Sequence, residues 1–503
     1  MIIDIEQNKY SDSVKISYVD SNRDRKILDI KKRDFWKWKY NNGPNADSEK
    51  LSYDNQKVIR TSYKDSDNID KKSIWEWINS QDEYKDLLYE FNLPKILFCD
   101  IETDVTPGGF PDPKLAKEKI TAITVCWKDD NGIVQVVILG ERENFDYNKQ
   151  KQMNDFISDY FKKVTNLKFV LKYVHIPDEK KLLESFVKIC SKFHVLTGWN
   201  FIDTYRQNWF NDNGFDWPFL SKRMDNLKVD YKPISPTNKI TNKKDVGKVP
   251  SHFAIVDYMY YFDAFDRSIK IKESKSLDFV SGEVLKVKKL KYGNYTAMDG
   301  DVLKEMYTED YYTYCLYNAV DTILVLLIHE KRQPFGAILA QGNDSGNHID
   351  KSDSAVNVTE GLMSKAYNSV NKVLPMIDTS NRKKEWYEGA FVKEPFAGLH
   401  SYTACYDFSS LYPSISRFLE LGFENMTEKR LGDLKKYENY KPESILLDRP
   451  KNEEIVSITG CVFRKNESML KEVYDNLYAA RKTNQYRAKL CSKISHEIKL
   501  KRK

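Results

Sequence analysis

Cysteine is scarce. The 503 residues hold seven, an odd number with no CxxC pair. That argues against a disulfide framework or a cysteine-rich zinc site, and points to a reducing, cytoplasmic compartment. Long apolar runs are missing too. The longest purely aliphatic stretch, Ile323 to Ile328, is six residues, against the roughly 20 that a membrane helix needs. The first residues, Met1-Ile2-Ile3-Asp4-Ile5-Glu6, put acids where a signal peptide would have a basic region, so no export signal is read. No internal repeat or low-complexity block stands out, and the seven histidines show no ligand spacing. What remains is 41% apolar and 31% charged, a balance that excludes a membrane protein and a disordered chain. The length allows roughly three domains.

The net charge of +6 is unevenly placed. Arg481 to Lys503 hold nine Lys or Arg and one acid, Glu497, so this short stretch carries +8 and the rest of the chain −2. Such a concentration suits a polyanion. Tyr486, Leu490, Ile494 and Ile498 recur every four residues within it, the spacing of a basic amphipathic helix whose stripe needs something to pack on.

Alternation and apolar runs predict mixed α and β layers in several domains. A strand is plausible at Val14–Val19 in an otherwise polar, aromatic first ~90 residues. The run from Pro94 to Thr103 reads as a buried strand ending in acids. Strands at Ile120–Trp127 and Val134–Leu139 come next, with the turn Asp129-Asp130-Asn131-Gly132 between them, as a meander. Phe169–Val174, Lys180–Phe193 and Val195–Trp199 read as strand, helix and strand. Tyr231–Pro250 is a long loop or exposed hairpin, with solvated lysines at Lys239–Lys248. Leu303–His329 is a long helical region, and the polar Gln341–Ser354 suggests a boundary. A strand from His400 should deliver Asp407.

Asp100 and Glu102 lie two apart on a predicted strand, so both carboxylates face one side. Like charges there are costly unless a cation sits between them. The pattern alone is weak, since Asp4-Ile5-Glu6 has the same spacing. Residues further along the chain sharpen it. Phe215-Asp216 comes after a strand ending Thr197-Gly198-Trp199-Asn200. Tyr317 and Asp321 are i and i+4 on a helix and share a face. Four carboxylates can hold two divalent ions roughly 3.5–4 Å apart for phosphodiester hydrolysis. All-oxygen ligands favour Mg²⁺ or Mn²⁺ over zinc.

Asp407-Phe408-Ser409-Ser410-Leu411-Tyr412-Pro413-Ser414-Ile415 reads as a strand, a turn through small residues and a helix start. Backbone N–H groups of the turn can meet phosphate oxygens while Asp407 holds a metal.

This stretch resembles DxxSLYPSI, the first palm motif of the family B DNA polymerases, and the upstream acids resemble that family's three exonuclease motifs in order. Phe110-Pro111-Asp112-Pro113, Thr197-Gly198-Trp199-Asn200 and Gly389-Ala390-Phe391-Val392 extend the likeness to the T-even-type bacteriophage enzymes, over roughly residues 95 to 485. The resemblance implies an α/β multi-domain (α+β) fold. An N-terminal domain, 1–94, would be completed by 335–372. An RNase H-like 3′→5′ proofreading exonuclease would occupy 95–334, the N-terminal part of a palm 373–466, and a truncated first fingers helix 467–503.

The resemblance also implies roles. Asp100, Glu102, Asp216 and Asp321 would be exonuclease metal ligands, with Tyr317 orienting water. Asp407 and the Phe408 carbonyl would ligate the polymerase metals. Ser410 and Leu411 would offer backbone N–H groups to a dNTP triphosphate, and Tyr412 would exclude a 2′-hydroxyl. Gly460 to Lys465 would lead toward the fingers, where Arg481 and Lys482 would bind the γ-phosphate side of the nucleotide. A hairpin near residues 239–248 would help to move the primer strand.

Two departures stand out. An asparagine is expected about five residues before Asp216. Asn211 is there, and Asn200 lies 16 before it, so some eleven residues within Phe201–Asn211 look inserted and either asparagine would contact the single strand. Phe201, Tyr205 and Trp209 in the insert would pack or stack on bases. The second fingers motif and the second palm motif, Asp-Thr-Asp, do not occur in the 503 residues. The expectation is therefore that this polypeptide alone does not polymerise DNA. A second polypeptide carrying the missing palm and thumb would pack on the 481–503 helix, as in phages that encode this polymerase in two parts; a truncated reading frame explains the sequence as well. A stand-alone exonuclease with a vestigial palm, or a non-catalytic nucleic-acid-binding remnant, are the competing readings.

Overall fold

The apolar run before Asp100 forms a strand, and the first packing unit is built around it. A computed structural model describes residues 1–7, 11–41, 43–44, 47–64, 67–104, 111–202, 214–243, 247–266, 269, 273–295, 299–375, 393–408, 410–430, 454–456, 461–465 and 468–501. The chain divides into two units, Met1–Lys31 with Glu83–Val358, and Lys32–Asp82 with Thr359–Lys503.

The first unit centres on a six-stranded sheet. In chain order its strands are β1 (Ile96–Thr103), β2 (Ile120–Lys128), β3 (Val134–Gly140), β4 (Phe169–His175), β5 (Val195–Gly198) and β6 (Ala254–Asp257). Across the sheet they lie β4-β3-β2-β1-β5-β6. The first three are the expected antiparallel meander. β4 joins parallel to β3, β5 parallel to β1, and β6 parallel to β5. Side chains alternate across a strand. Leu97, Cys99 and Ile101 therefore enter one core, with Phe186 from the helix Glu179–Cys190 and Trp217 from α1 (Asp216–Asn226). Phe98 enters the other, with Val320 and Leu324 of α2 (Tyr311–Arg332). Asp100 and Glu102 share the Phe98 side, so β1 delivers both to the face that α2 covers. A separate three-stranded sheet is formed by Ile2–Gln7, Ser13–Val19 and Arg25–Lys31. Ile240–Lys243 and Gly247–Pro250 pair as the expected hairpin.

Two expectations for this unit need correction. The helical region read as 303–329 is two helices, Gly300–Glu309 and α2. The break is at Asp310, whose carboxylate accepts the Thr313 N–H at 3.0 Å and so starts a new helix. α2 is long and apolar enough by composition alone to cross a membrane, but 89% of its apolar window is buried, as for a helix apolar on all sides within a core. Second, the polar stretch 341–354 is packed rather than a boundary. Asn343, Ser345, Asn347 and Ser352 are buried, with Asn343 Nδ2 donating to the Tyr89 carbonyl at 2.7 Å and Asn347 to that of Asn357 at 3.0 Å. Their polarity is spent on backbone carbonyls, not on solvent.

Gly198 ends β5 beside β1. A Cβ there would stand 2.4 Å from the Cys99 carbonyl oxygen and 2.5 Å from the Phe201 ring. The first is backbone and cannot rotate away, so Gly198→Ala must push β1 at the residue before Asp100. Its expected cost is about 2 kcal/mol, read as a lower urea midpoint. An unchanged midpoint would mean that the strands separate freely.

In the second unit, Lys372–Val373, Asp47–Ser52, Lys57–Ser62 and Trp36–Tyr40 form a four-stranded sheet in that order. Met426–Arg430, Cys461–Arg464 and Glu454–Val456 form a three-stranded one. The helix α3 (Leu411–Phe418) packs on α4 (Met469–Lys501), the long basic helix anticipated from the four-residue spacing. The strand expected to deliver Asp407 is not formed. Residues 393–408 contain no strand, and Tyr402, Tyr406 and Phe408 are exposed. An extended segment becomes a strand only when a neighbour takes its N–H and C=O groups, and among the described residues none pairs with it.

Candidate active site

The carboxyl ends of the parallel strands β1, β5 and β6 meet at one edge of the sheet of the first unit, where open α/β sheets place their ligands. Asp100 and Glu102 stand there on β1. Asp216 is the first residue of α1, and its Oδ1 accepts the Ile101 N–H at 3.2 Å. Asp321 comes from α2, together with Tyr317. Asp216 and Asp321 are 5% and 4% exposed. The four carboxylates are close enough to oppose one another's ionisation: Asp321 and Asp100 act on Glu102, Asp321 on Asp100, and Asp100 on Asp216.

Two residues that the sequence motifs do not single out complete the arrangement. Asn318 is fully buried, and its Nδ2 donates to Asp100 Oδ2 at 2.6 Å. Lys289 Nζ is 2.6 Å from Asp321 Oδ2 and lies over the Tyr317 ring at 4.9 Å from its centre. Asn318 sits inside the Tyr317–Asp321 run and was legible as a neighbour of the acid's face. Lys289 belongs to no motif, and no signal in the sequence pointed to it.

The charge balance is unfavourable as it stands. Burial, then Asp321, pushes Asp100 up to about 7, against the pull of Lys289 and Asn318. Burial and Asp100 push Glu102 and Asp216 well above the carboxylate range. Burial raises Asp321 despite its lysine. At Lys289 the lowering effect of burial is outweighed by Asp321 and Tyr317, and the ammonium is held well above its ordinary value. Burial also raises the Tyr317 phenol, which therefore stays protonated at neutral pH.

The decoy behaves oppositely. His252, through a hydrogen bond, and then Lys239 hold Glu6 down at about 2, with Lys239 Nζ 2.9 Å from its carboxylate. Two stretches with one spacing thus differ in compensation: Glu6 has His252 and Lys239 to itself, and the four acids of the Asp100 cluster share one lysine.

Among the described residues, no three His, Cys, Asp or Glu side chains close on a single ion position. The donor set nevertheless fits hard divalent cations in chemistry. It is all oxygen, half-buried to buried, and short of positive charge, and Asp321 Oδ1 is buried without a hydrogen-bond partner among the described residues.

This sets a pH prediction. Asp100 rises from 3.8 to about 7 on folding, so between those values the metal-free folded chain binds more protons than the unfolded one. Its contribution to stability is then unfavourable and grows as pH rises. Asp100→Asn should match the wild type near pH 4 and exceed it above pH 7, by on the order of 3–4 kcal/mol, in chelator-treated thermal melts. A gap equal at pH 4 and pH 8 would show that the carboxyl is not held protonated.

Asn200 lies at this edge with a left-handed backbone, φ 57°, and its carbonyl accepts the Phe215 N–H at 2.9 Å. Phe201 is fully buried and so packs rather than stacks on bases. Ile202 donates its N–H to Asp257 Oδ2 at 3.2 Å, and a Cβ on Gly214 would meet the Ile202 backbone at 2.1 Å. The chain thus leaves for 203–213 and returns at one point beside Asp216. Asn211, Tyr205 and Trp209 lie outside the described residues.

The palm-motif residues belong to the second unit. Asp407, Phe408 and Tyr412 are exposed. Ser410 adopts a left-handed conformation, φ 54°, before α3, which begins at Leu411. Arg481 Nη1 donates to Ser410 Oγ at 3.3 Å, and Lys482 lies over the Tyr478 ring. The arginine is therefore brought to the turn, and Asp407 is not enclosed by a sheet. Ser409, 389–392 and 460 lie outside the described residues.

Residues 54–280 match the sequence family described as DNA polymerase family B, exonuclease domain, and residues 350–500 match DNA polymerase family B. Tyr317 and Asp321 fall between the two. Among curated proteins, the chain is 28% identical to the DNA-directed DNA polymerase of Escherichia phage RB69, over 67% of this chain and 36% of that one. It is 23% identical to that of Enterobacteria phage T4, over 76% and 41%. It is 25% identical to DNA polymerase 1 of Sulfurisphaera ohwakuensis, over 73% and 38%. The chain spans about two fifths of the length of these relatives.

Proposed function

We propose that this chain, which belongs to DNA polymerase family B and carries that family's exonuclease domain, removes nucleotides one at a time from the 3′ ends of DNA at the Asp100 cluster. The observation that carries the reading is four carboxylates, Asp216 and Asp321 buried and Asp100 and Glu102 half-buried, gathered at a sheet edge with one lysine among them. In the reaction, water attacks the terminal phosphorus, the bond to the preceding 3′ oxygen breaks, and a deoxynucleoside 5′-monophosphate leaves a shortened strand with a 3′ hydroxyl. Asp100, Glu102, Asp216 and Asp321 would hold Mg²⁺ or Mn²⁺. Bound there, the ions would lower the pKa of the attacking water and stabilise the leaving oxygen. Tyr317, kept protonated, would donate a hydrogen bond that orients the water. Lys289 fixes Asp321, and Asn318 fixes Asp100. Asn200 or Asn211 would contact the single strand.

The domain boundaries at 94, 334, 372 and 466 and the RNase H-like character of the 95–334 sheet form part of the same reading. So does a palm in which Asp407 and the Phe408 carbonyl ligate metals. Ser410, Leu411, Arg481 and Lys482 would hold a dNTP, and Tyr412 would guard its sugar. Template-directed synthesis would need a second palm aspartate from a second polypeptide. Leu477, Tyr486, Leu490 and Ile494, exposed along α4, offer the surface for it. A stand-alone exonuclease is the second reading, favoured by the contrast between four carboxylates brought together in the first unit and an exposed stretch before Asp407 that pairs with no strand among the described residues.

The test is a 5′-labelled single-stranded oligonucleotide with the purified chain and Mg²⁺. The expected product is a ladder shortened from the 3′ end and abolished by EDTA. Cleavage from the 5′ end, or none, would remove the reading.

A further inference from the structure

A threonine outside every motif is fastened to the acidic cluster through a fault in the strand pairing. Across the β1–β2 ladder, Asp100 pairs with Thr124, Ile101 with Ile123 and Glu102 with Ala122, but Thr103 pairs with Ile120. Thr121 is therefore an extra residue on β2, a bulge directly beside Glu102. The packing shows the same break. Ile123 and Val125 enter the core with Leu97, whereas Ala122 and Cys126 enter the one with Phe98. Strict alternation would send Ile120 to the Phe98 side, yet it lies in the Leu97 core. Thr121 and Ala122 thus stand next to each other on the face that α2 covers.

Three contacts hold the bulge. Thr121 is buried, and its Oγ1 donates to the Glu102 carbonyl at 3.1 Å. A hydroxyl has one hydrogen to give. In the 2.7 Å contact between Thr121 Oγ1 and Tyr314 OH, the phenol is therefore the donor. Tyr311 OH donates to the Thr121 carbonyl at 3.3 Å and accepts the Glu141 N–H at 2.9 Å. Tyr311 and Tyr314 are three apart on α2, and Tyr317 and Asp321 continue at helical spacing. One helix therefore carries both the clamp on the bulge and two members of the acidic cluster.

A bulge bends its strand and turns the side chains around it. A carboxylate that holds a metal depends in turn on the groups that orient it. We infer that Thr121 and Tyr314 are positioning residues for Glu102. The phenol fixes the threonine hydroxyl, the hydroxyl fixes the Glu102 carbonyl, and the backbone so held aims the carboxylate at the ions. This positioning rests on the metal role proposed above for the Asp100 cluster, and both residues act through Glu102 rather than on the strand being cut.

The experiment titrates the full chain with Mn²⁺, without DNA, and follows the free ion by electron paramagnetic resonance. Thr121→Val keeps the shape and removes the hydroxyl, and should weaken binding about tenfold. Tyr314→Phe should weaken it too, and Thr121→Ser, which retains the hydroxyl, should bind as the wild type does. In a Glu102→Ala background, Thr121→Val and Tyr314→Phe should have no further effect, because theirs passes through that carboxylate. A general loosening of the fold would persist there. Thermal melts in EDTA identify the variants that remain folded, and Tyr314→Phe, which removes a single oxygen, carries the test if Thr121→Val does not fold. Unchanged binding in the folded single variants, or a loss of equal size in the Glu102→Ala background, would overturn the inference and leave the proposed function standing. A wild type that binds no Mn²⁺ would remove the proposed function itself, and the inference with it.

Discussion

Asp100→Ala combined with Glu102→Ala should lower 3′-end degradation by on the order of 10³-fold or more, in a chain that remains folded. The two side chains are the paired donors of β1, and the proposed ions would lose half of their ligands with them. Folding should survive because these carboxylates are a cost to the metal-free protein: burial and mutual repulsion push both up. Thermal melts in EDTA at pH 8 should therefore show the double variant at least as stable as the wild type. Mg²⁺ should stabilise the wild type and not the variant. Degradation that persists in the folded double variant would place the chemistry elsewhere. Lys289→Met would go the other way, leaving Asp321 buried without its cation, a change that costs about 3 kcal/mol in buried pairs. Loss of folding there would not bear on the metal assignment.

Primer extension is the second result with an all-or-none outcome. With primer–template, Mg²⁺ and all four dNTPs, the 503-residue chain is expected to shorten the primer and not to extend it. Within this sequence Asp407 is the one aspartate that the first palm motif supplies, and a phosphoryl transfer that uses two ions needs further anionic ligands to hold them against a triphosphate. Under the proposal that another polypeptide carries the second palm aspartate, adding that polypeptide should convert shortening into extension. The conversion should fail when Asp407 is changed to Asn, with 3′-end degradation unaffected. Extension by the chain alone would show that other acids serve the palm. Shortening that no added polypeptide converts would favour the stand-alone exonuclease. Leu490→Asp and Ile494→Asp on α4 should weaken the conversion by raising the concentration of partner required, because they place charge on the exposed apolar stripe.

Much of the first unit was legible because its signals are local. The meander, β4, the helix Glu179–Cys190 and β5 each have an apolar rhythm set by neighbours a few residues away. The strand before Asp407 has the same rhythm and did not form. A strand depends on a partner for its hydrogen bonds, and rhythm does not supply one. The polar stretch 341–354 misled for a related reason. Asn343 and Asn347 look solvent-facing by type, but their amides are used up on carbonyls at Tyr89 and Asn357.

The sequence by itself determined the order and spacing of the acids, the palm-like motif, the basic final helix and the family, since each is written in contiguous residues. Only the tertiary structure told the two identical spacings apart by their surroundings. Glu6 meets His252 and Lys239, whereas Asp100 and Glu102 meet two more acids, Asn318 and a single lysine. The tertiary structure also joined Thr121, Tyr311 and Tyr314, from a strand and a helix, at one bulge beside Glu102. Charge compensation and such contacts depend on distances across the fold. Residues more than a hundred positions apart set those distances at the Asp100 cluster, and a linear pattern carries no record of them.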